Sequence, residues 1–526
     1  MEVIQAASLV VLTFLTRVMP RIGLKYAFSG DTFFHMYMAD SIRENKFRLP
    51  PRIPNIILNH EYTYPYFYHS VLSLFNKESR YYAERMTGAV CDTLNVMIFY
   101  FFSSWAIGYF GIGVPAFTPF LASVVFSLSP GLVSVGGGPR AYRGSPRVFG
   151  QTLYFTHIVS YFYFSVTGNI FAVCISVLAV SLMFISAKFS VQALVFFGIF
   201  FTIFYSADYS LFIVGGFILS VLLSKGRSYK VLYGQIKHSE FYTKYTRSKG
   251  FIRGFKTDAE DLKIYFSRFY RNIRSVSKGK VSDFIKWFFG ERYFFHYLII
   301  AYPQIILLAF IFNSFDPGVK MYWFLLLWTS ASVFWFLVTS ISYIRFFGEA
   351  ERYLEYSAIA SILLGVTYVL QNDLYWVVWC FLGYSVFIYI LHFVIFRERF
   401  GGKHSTYEEE EVFFGKVRDL ERGVILPLGD EWEILDRVRF PLVIYGANID
   451  LKLISLEEFN RLYYNGHMPN KDLEEYVERF KIKYILGSKR NLNDYLENVY
   501  KDIDKFYSLC EEVLSSNNFI LLKVKT

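Results

Sequence analysis

Long apolar runs alternate with short polar turns along this chain of 526 residues. The runs fall near 1–18, 88–107, 112–132, 150–166, 169–187, 191–207 and 209–225, then near 293–313, 321–342, 353–370 and 374–397. A helix needs about 20 apolar residues to cross a hydrocarbon core of roughly 30 Å, and these runs meet or approach that length. The pattern predicts a polytopic α-helical membrane protein with about eleven transmembrane helices. No ten-residue alternation suggests a barrel. Thr167-Gly168-Asn169 and Ser206-Ala207-Asp208 read as the turns of tight helical hairpins. Val3 to Thr16 lacks a basic leader and a small-residue cleavage site, so it is expected to stay as a first helix.

The polar stretches divide the chain. Residues 1–225 form an N-terminal transmembrane module with a long first loop at 19–87, 226–292 a basic extramembrane loop, 293–398 the C-terminal helices, and 399–526 a soluble domain. In that last segment Val424–Leu426, Leu442–Tyr445, Tyr484–Leu486 and Phe519–Leu522 read as strands. They alternate with helical patterns at 456–464, 471–480 and 491–514, which predicts a small α/β fold. It carries no GxGxxG, Walker loop or HExxH, so no chemistry is assigned to it.

Composition agrees with a membrane class. Hydrophobic residues make up 54% of the chain, too many for a soluble protein that must cover its own core. Aromatics reach 21%, as interface anchors and helix packing. The four cysteines are scattered without a CxxC, which argues for neither a disulfide framework nor a zinc site. Residues 225–292 hold 17 Lys or Arg against 6 Asp or Glu, a net of +11 beside +10 for the whole chain; membrane lipids are the expected partner and no nucleic acid is. Residues 401–526 hold 18 against 23, a net of −5. Four crossings separate the two segments, which places both on one side and predicts a salt-sensitive contact between them.

Chemistry concentrates in the first loop, in Gly30-Asp31-Thr32-Phe33-Phe34-His35, then Asp40, Ile42-Arg43-Glu44-Asn45, and Tyr64-Pro65-Tyr66-Phe67-Tyr68-His69. On a helix beginning near Asp31, that carboxylate and the imidazole of His35 lie one turn apart on one face. Such a pair can bind a divalent cation or relay a proton; equally, Asp31 can simply cap the helix. The segment Gly136-Gly137-Gly138-Pro139-Arg140-Ala141-Tyr142-Arg143-Gly144-Ser145-Pro146-Arg147 offers a second chemistry. Three arginines beside a membrane surface can hold phosphate oxygens in pairs, and glycines let backbone amides approach. The plain alternative is snorkelling arginines at a helix end. Glu84-Arg85 and Glu349-Ala350-Glu351-Arg352-Tyr353 precede apolar runs and are candidates for the same cavity. His60 and His69 flank the tyrosine-rich segment, while Asp92 and Asp208 lie in or beside apolar runs, where an ionisable group is costly.

The order Asp31-Thr32-Phe33-Phe34-His35 followed by Ile42-Arg43-Glu44-Asn45 resembles the first-loop pattern D-x-W-F-N…L-x-E-N of the oligosaccharyltransferase catalytic subunit. With His69 it is similar to the broader set of archaeal and bacterial GT-C glycosyltransferases that use polyprenyl-phosphate-linked sugars. The resemblance implies an extracytoplasmic first loop and an inverting transfer to a protein, lipid or glycan acceptor. In that reading Asp31 and His35 are catalytic, and both are candidate ligands of a divalent cation, Mg or Mn. Arg140, Arg143, Arg147 and Arg352 hold the leaving phosphate, and Glu84, Arg85, Tyr64 and His69 line the substrate site. The second acidic motif and the W-W-D-Y-G signature of oligosaccharyltransferases are missing, which argues against an N-glycosylation sequon as acceptor. Charge favours the opposite orientation, because Arg17, Arg21 and the basic loop are of the kind retained in the cytoplasm, although that rule weakens for loops over about 60 residues. Two other classes remain open. A transporter or lipid flippase would show repeated halves and charges near the bilayer midplane; a non-catalytic GT-C relative would use its charged surfaces to hold partners.

Overall fold

The computed structural model describes the chain except residues 1, 25–29, 59–60, 134–144, 250–258, 278, 280, 291–293, 315–317, 341–349, 402, 446–448, 450–451, 453, 464–468, 471–472 and 526. Two compact units emerge. One comprises residues 1–20, 86–228 and 246–396, and the other 21–85, 229–245 and 397–526.

The first unit is a helical bundle. It contains α1 (Glu2–Val18), most of α4 (Lys77–Tyr109), α5 (Thr118–Leu128), α6 (Pro130–Val133), α7 (Pro146–Thr167), α8 (Ile170–Ser186), α9 (Lys188–Phe204) and α10 (Tyr209–Leu223). After α11 (Arg227–Lys249) it resumes with α12 (Ala259–Val276), α13 (Val281–Gly290), α14 (Phe294–Ala301), α15 (Leu308–Ser314), α16 (Lys320–Ser340), α17 (Glu351–Tyr356), α18 (Ala358–Gln371) and most of α19 (Tyr375–Gly401). Helices thus occupy every predicted apolar run. Among the described residues only four are long and apolar enough to cross a membrane: Glu2–Arg21, Lys77–Tyr109, Lys320–Ser340 and Tyr375–Glu398. The pair α10 and α11 passes together but bends by 115°. Several other runs form shorter apolar helices, such as Ile170–Ser186 and Lys188–Phe204, so the expected count of about eleven spans is not confirmed.

Aromatic packing fills this core. Trp328 is fully buried, with Tyr154 and Phe155 within 6.2 Å of its ring. The α7–α8 hairpin turns at Gly168, whose φ of 70° is left-handed and favours glycine; Asn169 then caps α8 by accepting from the Phe171 amide at 2.9 Å.

In the second unit a six-stranded sheet runs in the order β1-β3-β2-β4-β6-β5, where β1 is Ile56–Leu58, β2 Val424–Leu428, β3 Leu442–Tyr445, β4 Ile482–Ser488, β5 Cys510–Ser515 and β6 Phe519–Val524. The four strands from β1 to β4 pair in parallel, and β6 and β5 add an antiparallel edge. All four predicted strands are present. Two were not foreseen. The run read as helix 491–514 breaks at Lys501, whose φ is 65°, restarts under an Asp502 cap, and ends at Cys510, where the chain enters β5. The Ser516-Asn517-Asn518 turn joins β5 to β6 as a hairpin and overrides the helical pattern before it.

The other unforeseen strand is β1, which comes from the first loop. Ile56 pairs with Leu442, and the Leu442 amide donates to the Asn55 carbonyl at 2.8 Å. The loop thereby supplies one edge of the tail's sheet. It also supplies a layer. Inward residues alternate along the strands, so Ile425, Leu442, Tyr484 and Leu521 share a core with Phe34, Tyr37 and Met38 of α2 (Gly30–Glu44). On the opposite face Leu426, Val443, Ile485 and Leu522 pack with Phe241 and Tyr245 of α11. The small α/β domain is therefore a three-layer sandwich built from three separated parts of the chain. Among the described residues, the basic loop meets the acidic tail through aromatic rings: Phe241 lies 4.7 Å from Phe459 and Lys452 lies over the Tyr233 ring, while Glu240 pairs with Lys237 and Lys244 of its own helix.

Candidate functional site

Asp31 occupies the first turn of α2, where a carboxylate is favoured by the unpaired amides and the helix dipole. Its side chain is exposed. One turn on, His35 points into the core, and its Nδ1 lies 2.9 Å from Nε2 of His69. His69 belongs to α3 (Phe67–Ser73) and is fully buried; the Tyr62 hydroxyl sits 3.4 Å from its Nδ1. Burial, aided by the neighbouring His35, holds the His69 imidazole well below its ordinary value, so the His69 ring stays neutral beside the facing nitrogen of His35. Phe34, Tyr64 and Tyr68 surround the pair, and Phe34 packs on Trp432 at 4.6 Å. Thus Asp31 and His35, expected on one face, differ in access: the acid meets solvent and the imidazole is committed to His69.

Glu84 and Arg85 also join this unit. Glu84 is fully buried and accepts from the Thr32 hydroxyl at 3.3 Å, directly beside Asp31 in sequence. Arg85 donates to the Leu24 carbonyl at 2.7 Å and lies over the Tyr81 ring. Of the residues expected to be catalytic or to bind substrate, Asp31, His35, Tyr64, His69, Glu84 and Arg85 belong to the second unit.

Two arginines on a neighbouring helix hold α2 in place. In α21 (Glu431–Val438) and its C-cap, Arg439 donates to Asp40 at 2.5 Å and also to Glu44. Arg80 grips Asp40 as well, while fully buried and bonded to the Leu72 and Phe75 carbonyls. Arg437 is caged by Phe33, Tyr407 and Phe414, with Glu433 at 3.1 Å. Arg439 adopts the left-handed region, φ 60° and ψ 27°, which a non-glycine residue visits at a cost. Asp436 beside them is half-buried, and burial pushes its carboxyl up to about 7, opposed by Arg439 and reinforced by Asp40. Sequence reading missed Arg80, Arg437 and Arg439. Their partners lie far away along the chain, and no local spacing announces them.

In the bundle, Arg147 lies in the first turn of α7, whose Ser145 cap accepts from its amide at 3.1 Å. Its guanidinium sits 3.3 Å from Glu355 of α17, and Gln151 donates to the Glu355 carbonyl at 2.7 Å. On the same α17, Arg352 stacks over Phe189 at 3.6 Å, at the start of α9. Ser190 and Tyr356 close the group at 2.8 Å. The bundle therefore brings Arg147 and Arg352 to the beginnings of α7 and α9, whose dipoles add positive potential. Arg140, Arg143, His60 and Glu349 lie outside the described residues. Asp92 pairs with buried Arg17 at 2.7 Å, and Asp208 bonds Ser206 and the Tyr161 hydroxyl in its hairpin turn, which is how each carboxylate is accommodated.

For the divalent cation, no group of three or more His, Cys, Asp or Glu gathers among the described residues. With Nδ1 of His35 facing His69, Nε2 is the ring nitrogen that would hold a cation together with Asp31.

The fold, with its bundle of apolar helices and its mixed α/β unit, is shared with several solved structures. The chain is similar to the oligosaccharyltransferase of Archaeoglobus fulgidus tethered to an acceptor peptide containing the NVT sequon, at 13% identity and a TM-score of 0.57, covering 99% of this chain and 74% of that one. It is also similar to ArnT of Cupriavidus metallidurans bound to undecaprenyl phosphate, at 10% identity and 0.55, covering 99% and 97%. A third likeness is to AglB of Archaeoglobus fulgidus in complex with an inhibitory peptide and a dolichol-phosphate, at 11% identity and 0.53, covering 94% and 70%. Another structure of the archaeal enzyme holds zinc and sulfate. No family model and no curated protein matches the sequence.

Proposed function

We propose that the protein is a membrane glycosyltransferase that moves a sugar from a polyprenyl-phosphate carrier to an acceptor at the extracytoplasmic face. The observation that carries the reading is the exposed carboxylate of Asp31, in the first turn of a helix fixed from the side by Arg80, Arg437 and Arg439. The similar structures support it, since polyprenyl phosphates and an acceptor peptide occur in them.

In the transfer, Asp31 takes the proton of the acceptor's hydroxyl or amide as that atom bonds to the anomeric carbon. The bond from that carbon to phosphate oxygen breaks with inversion, and polyprenyl phosphate leaves with the electron pair. Arg147 and Arg352, with Arg140 and Arg143, stabilise the charge on the departing phosphate. Glu84 and Thr32 orient the start of α2, and Tyr64 with the His35–His69 pair shapes the acceptor side. A cation such as Mg or Mn would draw on Asp31 for its carboxylate ligand.

Purified protein incubated with candidate polyprenyl-phosphate sugars, with mass spectrometry of the released lipid and with or without chelator, tests the proposal. Release that requires Asp31 supports it. Release of no donor, with unchanged folding, would sink it.

A further inference from the structure

The helices α12 and α13 expose a surface that the transfer does not use. On α12, Phe266, Tyr270, Ile273 and Val276 recur at intervals of three and four, so they form one stripe along the helix. Tyr270 is 70% exposed and Phe266 56%. Phe269, on the edge of the stripe, meets Trp287 of α13 at 6.0 Å, which joins the two helices into a pair. Arg268, Arg271 and Arg274 occupy the other side of α12, and Arg271 and Arg274 are exposed. An apolar stripe backed by arginines is the pattern of a helix lying in a membrane interface, where the stripe enters the acyl boundary and the cations meet headgroups.

Chain connectivity independently fixes what the stripe faces. Only residues 291–293 separate the end of α13 at Gly290 from α14 at Phe294, which opens an apolar run of the bundle. Four Cα steps span at most about 15 Å, so α13 and its partner α12 stay within reach of the start of that apolar run. A tethered pair of helices with open aromatic side chains beside a bilayer meets lipid before any soluble partner. The charge makes the same choice, because the surrounding loop carries net +11 and anionic headgroups attract it.

We propose that α12 and α13 lie in the headgroup plane of the bilayer, with Phe266, Tyr270, Ile273 and Val276 immersed and Arg268, Arg271 and Arg274 engaging anionic phospholipid. The occupant is bulk anionic lipid rather than the sugar carrier, and the inference does not depend on the proposed transferase activity.

Full-length protein with its native cysteines replaced by serine, reconstituted in nanodiscs with and without phosphatidylglycerol, provides the test. Nitroxide labels at Phe266→Cys and Ile273→Cys are compared with a label at Arg271→Cys by collision with oxygen and with a water-soluble nickel chelate. With phosphatidylglycerol, the oxygen-to-nickel ratio at the two apolar positions is expected to be several-fold higher than at the arginine position. Without it, or in an R271E/R274E double variant labelled at Ile273→Cys, the difference should shrink toward parity. Equal nickel access on both sides of the helix would overturn the proposal in favour of a solvated pair. Low access to both quenchers would overturn it in favour of a protein cover, a second copy or the acidic tail. Immersion that ignores phosphatidylglycerol would remove the anionic lipid as occupant. Elution of each variant at the position of the parent protein shows that the labels report on folded material.

Discussion

Asp31 and Asp40 sit on one helix and face opposite demands. Asp31 keeps solvent access at the first turn, as the proposed transfer requires of its base, while Asp40 is 8% exposed and held by Arg80 and Arg439. In Asp31→Asn, sugar transfer should be abolished while the melting profile in detergent stays that of the parent protein; full activity would remove Asp31 from the mechanism. Arg80→Ala should instead act on stability. It leaves a buried carboxylate with half its support and costs about 3–5 kcal/mol, read as a lower midpoint in thermal unfolding. Asp436 gives the pH dependence. Its folded value of about 7 lies above the ordinary carboxyl value, so the folded state binds a proton that the unfolded chain has released between roughly pH 4 and 7. The stability tied to that proton is complete below about pH 4 and is lost as pH rises to 7. Asp436→Asn should therefore raise the midpoint at pH 8 and leave it nearly unchanged at pH 4. The opposite order would show that Asp436 ionises freely in the fold.

At the scale of elements, the question is why a three-residue strand and a short helix cap matter. β1 buries Ile56 against the tail's sheet, and α2 buries Phe34, Tyr37 and Met38 on the same face, so the first loop owes its shape to residues more than 300 positions away. Ile56→Ala should cost about 2–4 kcal/mol and open the first loop and the tail to protease together, because they share one core. Cleavage of one with the other intact would separate them. Arg439 offers a finer measurement. Glycine at this left-handed cap is free of the strain that alanine would keep, by about 1 kcal/mol, whereas both variants lose the bridge to Asp40 and Glu44. Hence Arg439→Gly should be more stable than Arg439→Ala while losing as much transfer activity, if the bridge serves to position α2.

At the scale of the molecule, the second unit contains the first loop, residues 229–245 and the tail. These segments lie in the chain on either side of apolar helices, and sharing one folded unit requires them to share one side of the membrane. The charge rule and the transferase resemblance assign that side differently. Single cysteines at exposed Glu61 and Glu497, probed in intact cells with a membrane-impermeant maleimide, should both label from outside under the proposed function. Labelling only after lysis would turn the molecule over and place the site in the cytoplasm.

The sequence by itself determined where the helices lie, the strands β2, β3, β4 and β6, and the residues around Asp31 that carry the resemblance. Each of these is written in local information: apolar runs, alternation, turn residues and spacing within one helix. It did not determine that β1 closes the sheet, that α2 and part of α11 are layers of the same sandwich, or that His35 meets His69. Those depend on burial against remote residues, and a Phe34 or an Ile56 gives no sign of which distant surface will cover it. The arginines Arg80, Arg437 and Arg439 show the same limit most plainly. As sequence they are ordinary basic residues; folding desolvates them beside Asp40, Glu44 and Glu433, and only that placement turns them into the mount of the helix that presents Asp31.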